Sequence, residues 1–263
     1  MKWMAMVFLL GLFLQTGCDI FDKTAQNDFE VATKHWNTGD YQNAVRMYFE
    51  LVKEHPSSTR ADDALYWAGV TQFLYLGETE KALQTLRLLL KRYPRRDMAP
   101  AAQWYIAQIY ELGYSDYERA IAEYRNAAAY SDPDIREKSL YSLADNLFRI
   151  GKMEEARDTW ARQAAEFPNG PQSRLAYYRV GTAAFAKGEL KNAVAFYRKT
   201  LEKGADKELA TKAKFALAGC FEADDNLTEA LKLYKEIEPV YSNTEAIQIK
   251  IRALETRIVK KSY

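Results

Sequence analysis

Three kinds of position recur along this chain in a fixed order: a glycine or short polar residue, then an alanine, then a large apolar residue. The alanines are Ala44, Ala82, Ala120, Ala156, Ala193 and Ala230, separated by 38, 38, 36, 37 and 37 residues. Five residues before each stands Gly39, Gly77, Ser115, Gly151, Gly188 or Asp225. Four residues after each stands Tyr48, Leu86, Tyr124, Trp160, Tyr197 or Tyr234. A spacing of four places side chains on one helix face, so each triplet predicts a hairpin of two helices. The first position closes the first helix, where glycine tolerates a left-handed backbone. The alanine lies one turn into the second helix, where the two helices cross too closely for a larger side chain. Pro56, Pro94 and Pro168 stop the second helix in the first, second and fourth units.

The offsets resemble those of the tetratricopeptide repeat family, whose unit of about 34 residues carries Gly, Tyr, Ala, an aromatic and Pro in this order. Gly39-Asp40-Tyr41-Gln42-Asn43-Ala44 with Tyr48 and Pro56 is a close match, as is Gly151-Lys152-Met153-Glu154-Glu155-Ala156 with Trp160 and Pro168. The resemblance implies an all-α, right-handed superhelical solenoid of about six hairpins, at residues 25–58, 61–96, 100–133, 137–170, 173–206 and 210–242. The period is longer than the family's, and the sixth unit has Asp225 for Gly and no closing Pro in the usual place. Ser242-Asn243-Thr244-Glu245 reads as a capping box opening a last helix over 243–263. Its stripe of Ile247, Ile251, Leu254 and Ile258 suits a terminal cap of the stack, with a coiled-coil strand as the alternative.

The first residues follow a different pattern. Lys2 precedes an apolar run from Met4 to Leu14, too short for a bilayer span of about 20 residues and suited to a signal peptide over 1–17. Leu14-Gln15-Thr16-Gly17-Cys18 resembles a bacterial lipoprotein signal, with Gln15 departing from its pattern. The resemblance implies lipidation of Cys18, a short tether over 18–24, and a chain anchored to a membrane and facing the periplasm. Asp19 leaves inner and outer membrane both open.

Composition excludes several functions. With 12 Gly and 7 Pro among 263 residues the chain favours helix, and its 18 Tyr and 5 Trp need both packing and polar partners. Net charge is +1 and falls to zero without the first 17 residues, so the footprint of a nucleic-acid binder is missing. His35 and His55 are the only histidines, and neither belongs to a metal-ligand spacing. No phosphate loop, nucleophile elbow or redox CxxC is present. The acidic pairs Asp62-Asp63 and Asp224-Asp225 fall at expected helix starts and turns. Neither catalysis, a cofactor, a metal nor a small-molecule substrate is expected. Cys220 reads as an inert core thiol.

Candidate contact residues remain. Phe29, Tyr66, Tyr105, Tyr141 and Tyr178 recur through the first helices at spacings of 37, 39, 36 and 37. In the family such positions face a peptide-binding groove; the rings serve either as that contact surface or as packing between neighbouring helices. The equivalent groove positions carry Phe29, Thr33, Tyr66, Val70, Tyr105 and Ile109, which offers no Lys/Asn clamp for a free carboxylate. Lys91, Arg92, Arg95 and Arg96 form a basic run at a helix end. It either complements the helix dipole or meets anionic headgroups or an acidic partner.

The segment Pro56-Ser57-Ser58-Thr59-Arg60-Ala61-Asp62-Asp63-Ala64-Leu65-Tyr66 resembles two envelope families, the BamD-type lipoproteins of outer-membrane β-barrel assembly and the repeat domain of the Tol-Pal system coordinator. The implied partners are other envelope proteins or peptide segments. The BamD-type build fits a chain that starts its repeats at once. The alternatives are a Tol-Pal-type coordinator, a pilotin-type lipoprotein escorting a secretin or pilus component, and a structural envelope tether.

Overall fold

The computed structural model describes residues 22–202 and 206–261. The signal peptide over 1–17 and the lipidation candidate Cys18 lie outside the described residues. Every regular element among those described is helical. Helix α1 covers 22–37 and is followed by α2 (Tyr41–Glu54), α3 (Ala61–Leu74), α4 (Thr79–Arg92), α5 (Ala99–Gln108), α6 (Tyr117–Ala127) and α7 (Pro133–Arg149). Then come α8 (Met153–Glu166), α9 (Ser173–Ala186), α10 (Leu190–Leu201), α11 (Lys207–Ala223), α12 (Leu227–Ile237) and α13 (Thr244–Lys261). Consecutive pairs form the six expected hairpins. Residues 22–24 are already helical, so the first helix takes in the end of the segment expected as a tether. The protein is an all-α stack of helix hairpins, and the chain divides into two compact units, up to Arg136 and from Glu137.

All six predicted corners have a left-handed backbone: Gly39, Gly77, Gly151 and Gly188 at φ +66 to +81°, Ser115 at +54° and Asp225 at +58°. Four of the hairpins close with the same pair of bonds. In the first, Gly39 N–H donates to Trp36 O and Asp40 N–H to His35 O, the Schellman arrangement that satisfies the last carbonyls of a helix. Lys152→Leu147, Glu189→Ala184 and Asn226→Phe221 repeat it. In the second and third hairpins the bond spans one residue more, Glu78 N–H to Gln72 O and Asp116 N–H to Tyr110 O, both at 2.8 Å. The third absorbs its extra residue as a π-turn at Ile109–Gly113 that continues α5. These two insertions account for the 38-residue spacings.

The six second-helix alanines are fully buried, and the large residues one turn later are no more than 2% exposed. Facing them is a second column of small residues on the first helices, Ala32, Gly69, Ala107, Ala144, Gly181 and Ala218, all of them buried. A methyl at Gly69 would meet Leu86 at 2.7 Å, and one at Gly181 would meet the Tyr197 ring at 2.9 Å. Helix crossing is therefore set by small residues from both sides.

Acidic side chains near the start of first helices hold the next hairpin. In the first compact unit Asp22 accepts from Ser58 Oγ at 2.7 Å and Thr59 N–H at 3.0 Å, and Asp62 accepts from Met98 N–H at 3.4 Å. In the second, Glu137 accepts from Gln172 N–H at 3.2 Å. At the end of the chain α13 buries Ile247, Ile251 and Leu254 against α12, which makes it a cap of the stack rather than a free coiled-coil strand. Its N-cap is Asn243, whose Oδ1 accepts from Ala246 N–H at 3.0 Å, one residue later than the expected Ser242. Ion pairs from Lys250 and Arg257 to Glu222 tie it to the end of α11.

Candidate protein-binding face

The first helices carry the candidate aromatics three residues before the small column. That register selects Phe29, Tyr66, Trp104, Tyr141, Tyr178 and Phe215, at spacings of 37, 38, 37, 37 and 37. Two positions differ from the sequence reading. Tyr105 stands beside the column, as the equivalent of Trp67, because the extra residue in the second hairpin shifts the register by one. Phe215 is a sixth member, detectable from its spacing of 37 after Tyr178. All six are partly exposed. Val70 and Ile109, expected on the groove, are buried at 4% and 0% exposure and belong to the core.

Each ring leans on the second helix of its own hairpin where an aromatic awaits it: Phe29 on Tyr48 at 5.4 Å, Tyr178 on Tyr197 at 5.7 Å and Phe215 on Tyr234 at 5.3 Å. The buried hydroxyls of the second-helix tyrosines point back to first-helix groups. Tyr48 pairs with Thr33 at 3.1 Å, Tyr197 donates to Thr182 at 3.3 Å, and Tyr124 donates to Glu111 at 2.7 Å. Burial pushes the Tyr197 hydroxyl up to about 12 and raises Tyr48 in the same direction. These phenols stay neutral and keep their donor proton across physiological pH.

In the first compact unit the column widens into a connected surface. Trp36 meets Trp67 and Tyr75, each at 5.5 Å, and Tyr41 at 6.0 Å. Tyr66 bridges Trp67 at 5.7 Å and Tyr105 at 5.8 Å, and Tyr105 meets Trp104 at 5.0 Å. Nearly all of these contacts are edge-to-face, the geometry the ring quadrupole favours. Trp36 Nε1–H is satisfied by Thr71 Oγ1 at 3.0 Å, while Leu74 and Tyr75 are about half exposed at 51% and 46%. Burial raises Tyr66 and Tyr105 above the ordinary tyrosine range. Such a surface offers flat apolar rings with neutral hydroxyls at their rims. It can take up apolar side chains of an extended or helical segment while bonding to its backbone.

The second compact unit keeps the column and inserts charge. Burial raises the Tyr141 hydroxyl, which bonds to the half-buried Arg179. Arg179 also lies 4.0 Å from Asp145 and over the Trp160 ring at 5.9 Å. Phe215 is covered by Tyr241 in a parallel stack at 4.9 Å.

The basic run separates into two roles. Arg96 donates to Ser58 O at 3.0 Å and Ser57 O at 3.2 Å, pairs with Asp62 at 3.5 Å and covers Tyr93. It is a staple between successive inter-hairpin turns. Lys91, Arg92 and Arg95 are exposed. Cys220 is a buried free thiol, pushed up to about 11 by burial, as an inert core residue should be. Among the described residues no group of His, Cys, Asp and Glu is placed to hold a metal ion, and no helix is long and apolar enough to cross a membrane.

A search of curated proteins finds no match. Among solved structures the chain is similar to PilF of Pseudomonas aeruginosa, at 13% identity and TM-score 0.62, with 88% of this chain and 99% of that one covered. It is similar to PilW, described as a widely conserved type IV pilus biogenesis factor, at 15% identity and TM-score 0.54, with 87% and 98% covered. The apo form of RapI aligns at 13% identity and TM-score 0.62 over 90% of this chain and 72% of its own. At these identities the likeness is one of fold. Family models described as tetratricopeptide repeat match residues 63–95, and again 110–173 and 141–208. With the six corners, the paired small columns and the hairpins all in place, the chain belongs to the tetratricopeptide-repeat family.

Proposed function

We propose that this protein is a lipid-anchored scaffold of a bacterial envelope that holds an extended segment of a pilus- or secretin-assembly component against its first-helix face. Tetratricopeptide-repeat proteins bind other proteins or peptides, and the connected aromatic surface from Trp36 to Tyr105 is the observation that carries the reading. Tyr and Trp are the side chains most often found at interface hot spots, because they bury large area with few rotors to freeze. The likeness to PilF and to a pilus biogenesis factor favours this pilotin-type reading over the BamD-type one. Neither the family models nor the structures reported above is of a β-barrel assembly or Tol-Pal protein. In this reading Cys18 carries the acyl groups and the repeats face the periplasm; outer-membrane residence fits the resemblance, and Asp19 allows the inner membrane.

The test is capture from detergent-solubilised envelopes by the full chain, compared with Trp67→Ala and Tyr105→Ala. A pilus or secretin component retained by the parent and lost from both variants, at unchanged helicity, supports the proposal. Retention of β-barrel assembly subunits, or of the same protein by all three chains, would refute it.

A further inference from the structure

The place where the chain enters its first helix is locked to one edge of the stack. Asp22, the first described residue, bonds through its carboxylate to Ser58 and Thr59 in the turn between α2 and α3. That turn is bonded in its own right to the next one, between α4 and α5. Tyr93 donates from its hydroxyl to Pro56 O at 2.7 Å, and Arg96 donates to the carbonyls of Ser57 and Ser58. The start of α1 and the first two inter-hairpin turns therefore form one continuous edge. The hairpin corners at Gly39, Gly77 and Ser115 lie at the other ends of the same helices.

The charge on this edge is one-sided. Lys23, Lys53, Lys91, Arg92 and Arg95 are exposed there. Of the five, only Lys53 has an ion pair among the described residues, with Glu54 at 3.2 Å. Asp97 is the one exposed carboxylate of the second turn. Asp22, Asp62 and Asp63 are engaged with the Ser58–Thr59 turn, Arg96 and Arg60 respectively. The third inter-hairpin turn, Ala128-Ala129-Tyr130-Ser131-Asp132, holds no cation of its own; Arg125 is exposed at the end of the helix before it, and Arg136 from the helix after it donates to Ala128 O. The excess is concentrated where the chain enters.

We infer that this edge is the membrane-facing side of the protein and that Lys91, Arg92 and Arg95 rest on anionic phospholipid headgroups. The inference rests on the reading of Cys18 as the lipid anchor. Three residues lie between Cys18 and Asp22, four steps of the chain and at most about 14 Å when extended. That upper limit is of the same order as the Debye length, about 8–10 Å at physiological salt, so the tether lets the edge settle into the field of the surface. An anchor so short presents this edge and holds the hairpin corners away. Each cation near an anionic surface strengthens contact about fivefold, and the aromatic face, which lies along the helices, remains open to a protein segment.

The test uses the full acylated chain in vesicles of phosphatidylcholine with or without phosphatidylglycerol, containing headgroup-nitroxide lipid as quencher. A fluorophore is placed at Asp97→Cys on the edge, or at Glu118→Cys near the Ser115 corner; the buried Cys220 does not compete for the label. The expected result is quenching at 97 several-fold above that at 118. It should weaken without phosphatidylglycerol and fall again in the triple variant Lys91→Glu, Arg92→Glu, Arg95→Glu. Equal quenching at the two sites, or no response to charge reversal, would overturn the orientation. Loss of a co-purifying envelope protein on charge reversal, with quenching unchanged, overturns it in favour of an acidic protein partner. Intact mass separates the two layers: acyl groups on Cys18 without edge quenching refute this inference alone, whereas their absence refutes the anchoring beneath it.

Discussion

The two compact units are built from the same hairpin and differ in what they lay on its first-helix face. Up to Arg136 the aromatic column is flanked by Trp36, Trp67 and Tyr105, so rings touch from one hairpin to the next. From Glu137 onward the positions equivalent to Trp67 and Tyr105 carry Ser142, Arg179 and Ala216, and the central tyrosine is tied up by Arg179. The hairpin core and the face are therefore independent. The crossing is fixed by two small columns and one large residue, leaving neighbouring first-helix positions free to become either an apolar platform or a polar one.

That independence can be broken most forcefully at the core. Ala120→Leu in the first unit and Ala156→Leu in the second should each cost about 1–3 kcal/mol by overpacking a sealed helix crossing, measured by chemical denaturation. A cost in one unit only would mean that the two crossings are not equivalent. At the face, Trp67→Ala should weaken partner capture by about 2 kcal/mol, the scale of an interface hot spot, whereas Tyr178→Ala should cost less than half of that in the same titration. Equal losses would erase the distinction between platforms.

A smaller effect separates the two non-glycine corners. Ser115→Gly removes a left-handed strain and should stabilise the fold by roughly 1 kcal/mol. Asp225→Gly relieves the same strain but gives up ion pairs with Arg257 and Lys261, so its gain in thermal denaturation should be smaller. The smallest effect is electrostatic. Burial raises the Asp62 carboxyl above its ordinary range, so its contribution to stability is greatest when it is protonated and is lost as pH rises through its folded-state value. Asp62→Asn should therefore equal or exceed the parent in stability at pH 7, by no more than about 1 kcal/mol. The advantage should shrink on acidification to pH 4. Asp22 has the opposite sign: hydrogen bonds from Ser58 and Thr59 lower it, and its contribution is lost as pH falls through that lowered value.

Much of the hairpin was legible in the sequence because its constraints are local. A left-handed corner, a methyl at a crossing and a ring one turn later all lie within ten residues, and each restricts the residue type at its position. The second small column was not legible, since Gly69 and Gly181 sit in mid-helix, where glycine ordinarily argues against the element. Without that column the aromatic register could slip from Trp104 to Tyr105. The flanking contacts were hidden for another reason: Trp36 meets Trp67 across a whole repeat, and no spacing rule separates that pair from two rings buried apart. Arg96 read as one more surface cation, because its acceptors are main-chain carbonyls that leave no trace in composition.

The corners bear on how the protein answers mechanical load. Each hairpin is closed by main-chain bonds within its own few residues, and hairpins meet through nearest-neighbour contacts, as in other repeat proteins. A cargo pulling on such a chain meets a series of similar, separately breakable elements rather than one cooperative barrier. Peeling from one end would release one repeat at a time, each paying out about 130 Å of extended chain, while the remaining hairpins keep their packing. A repeat scaffold of this build would then yield in steps and refold locally when the tension drops.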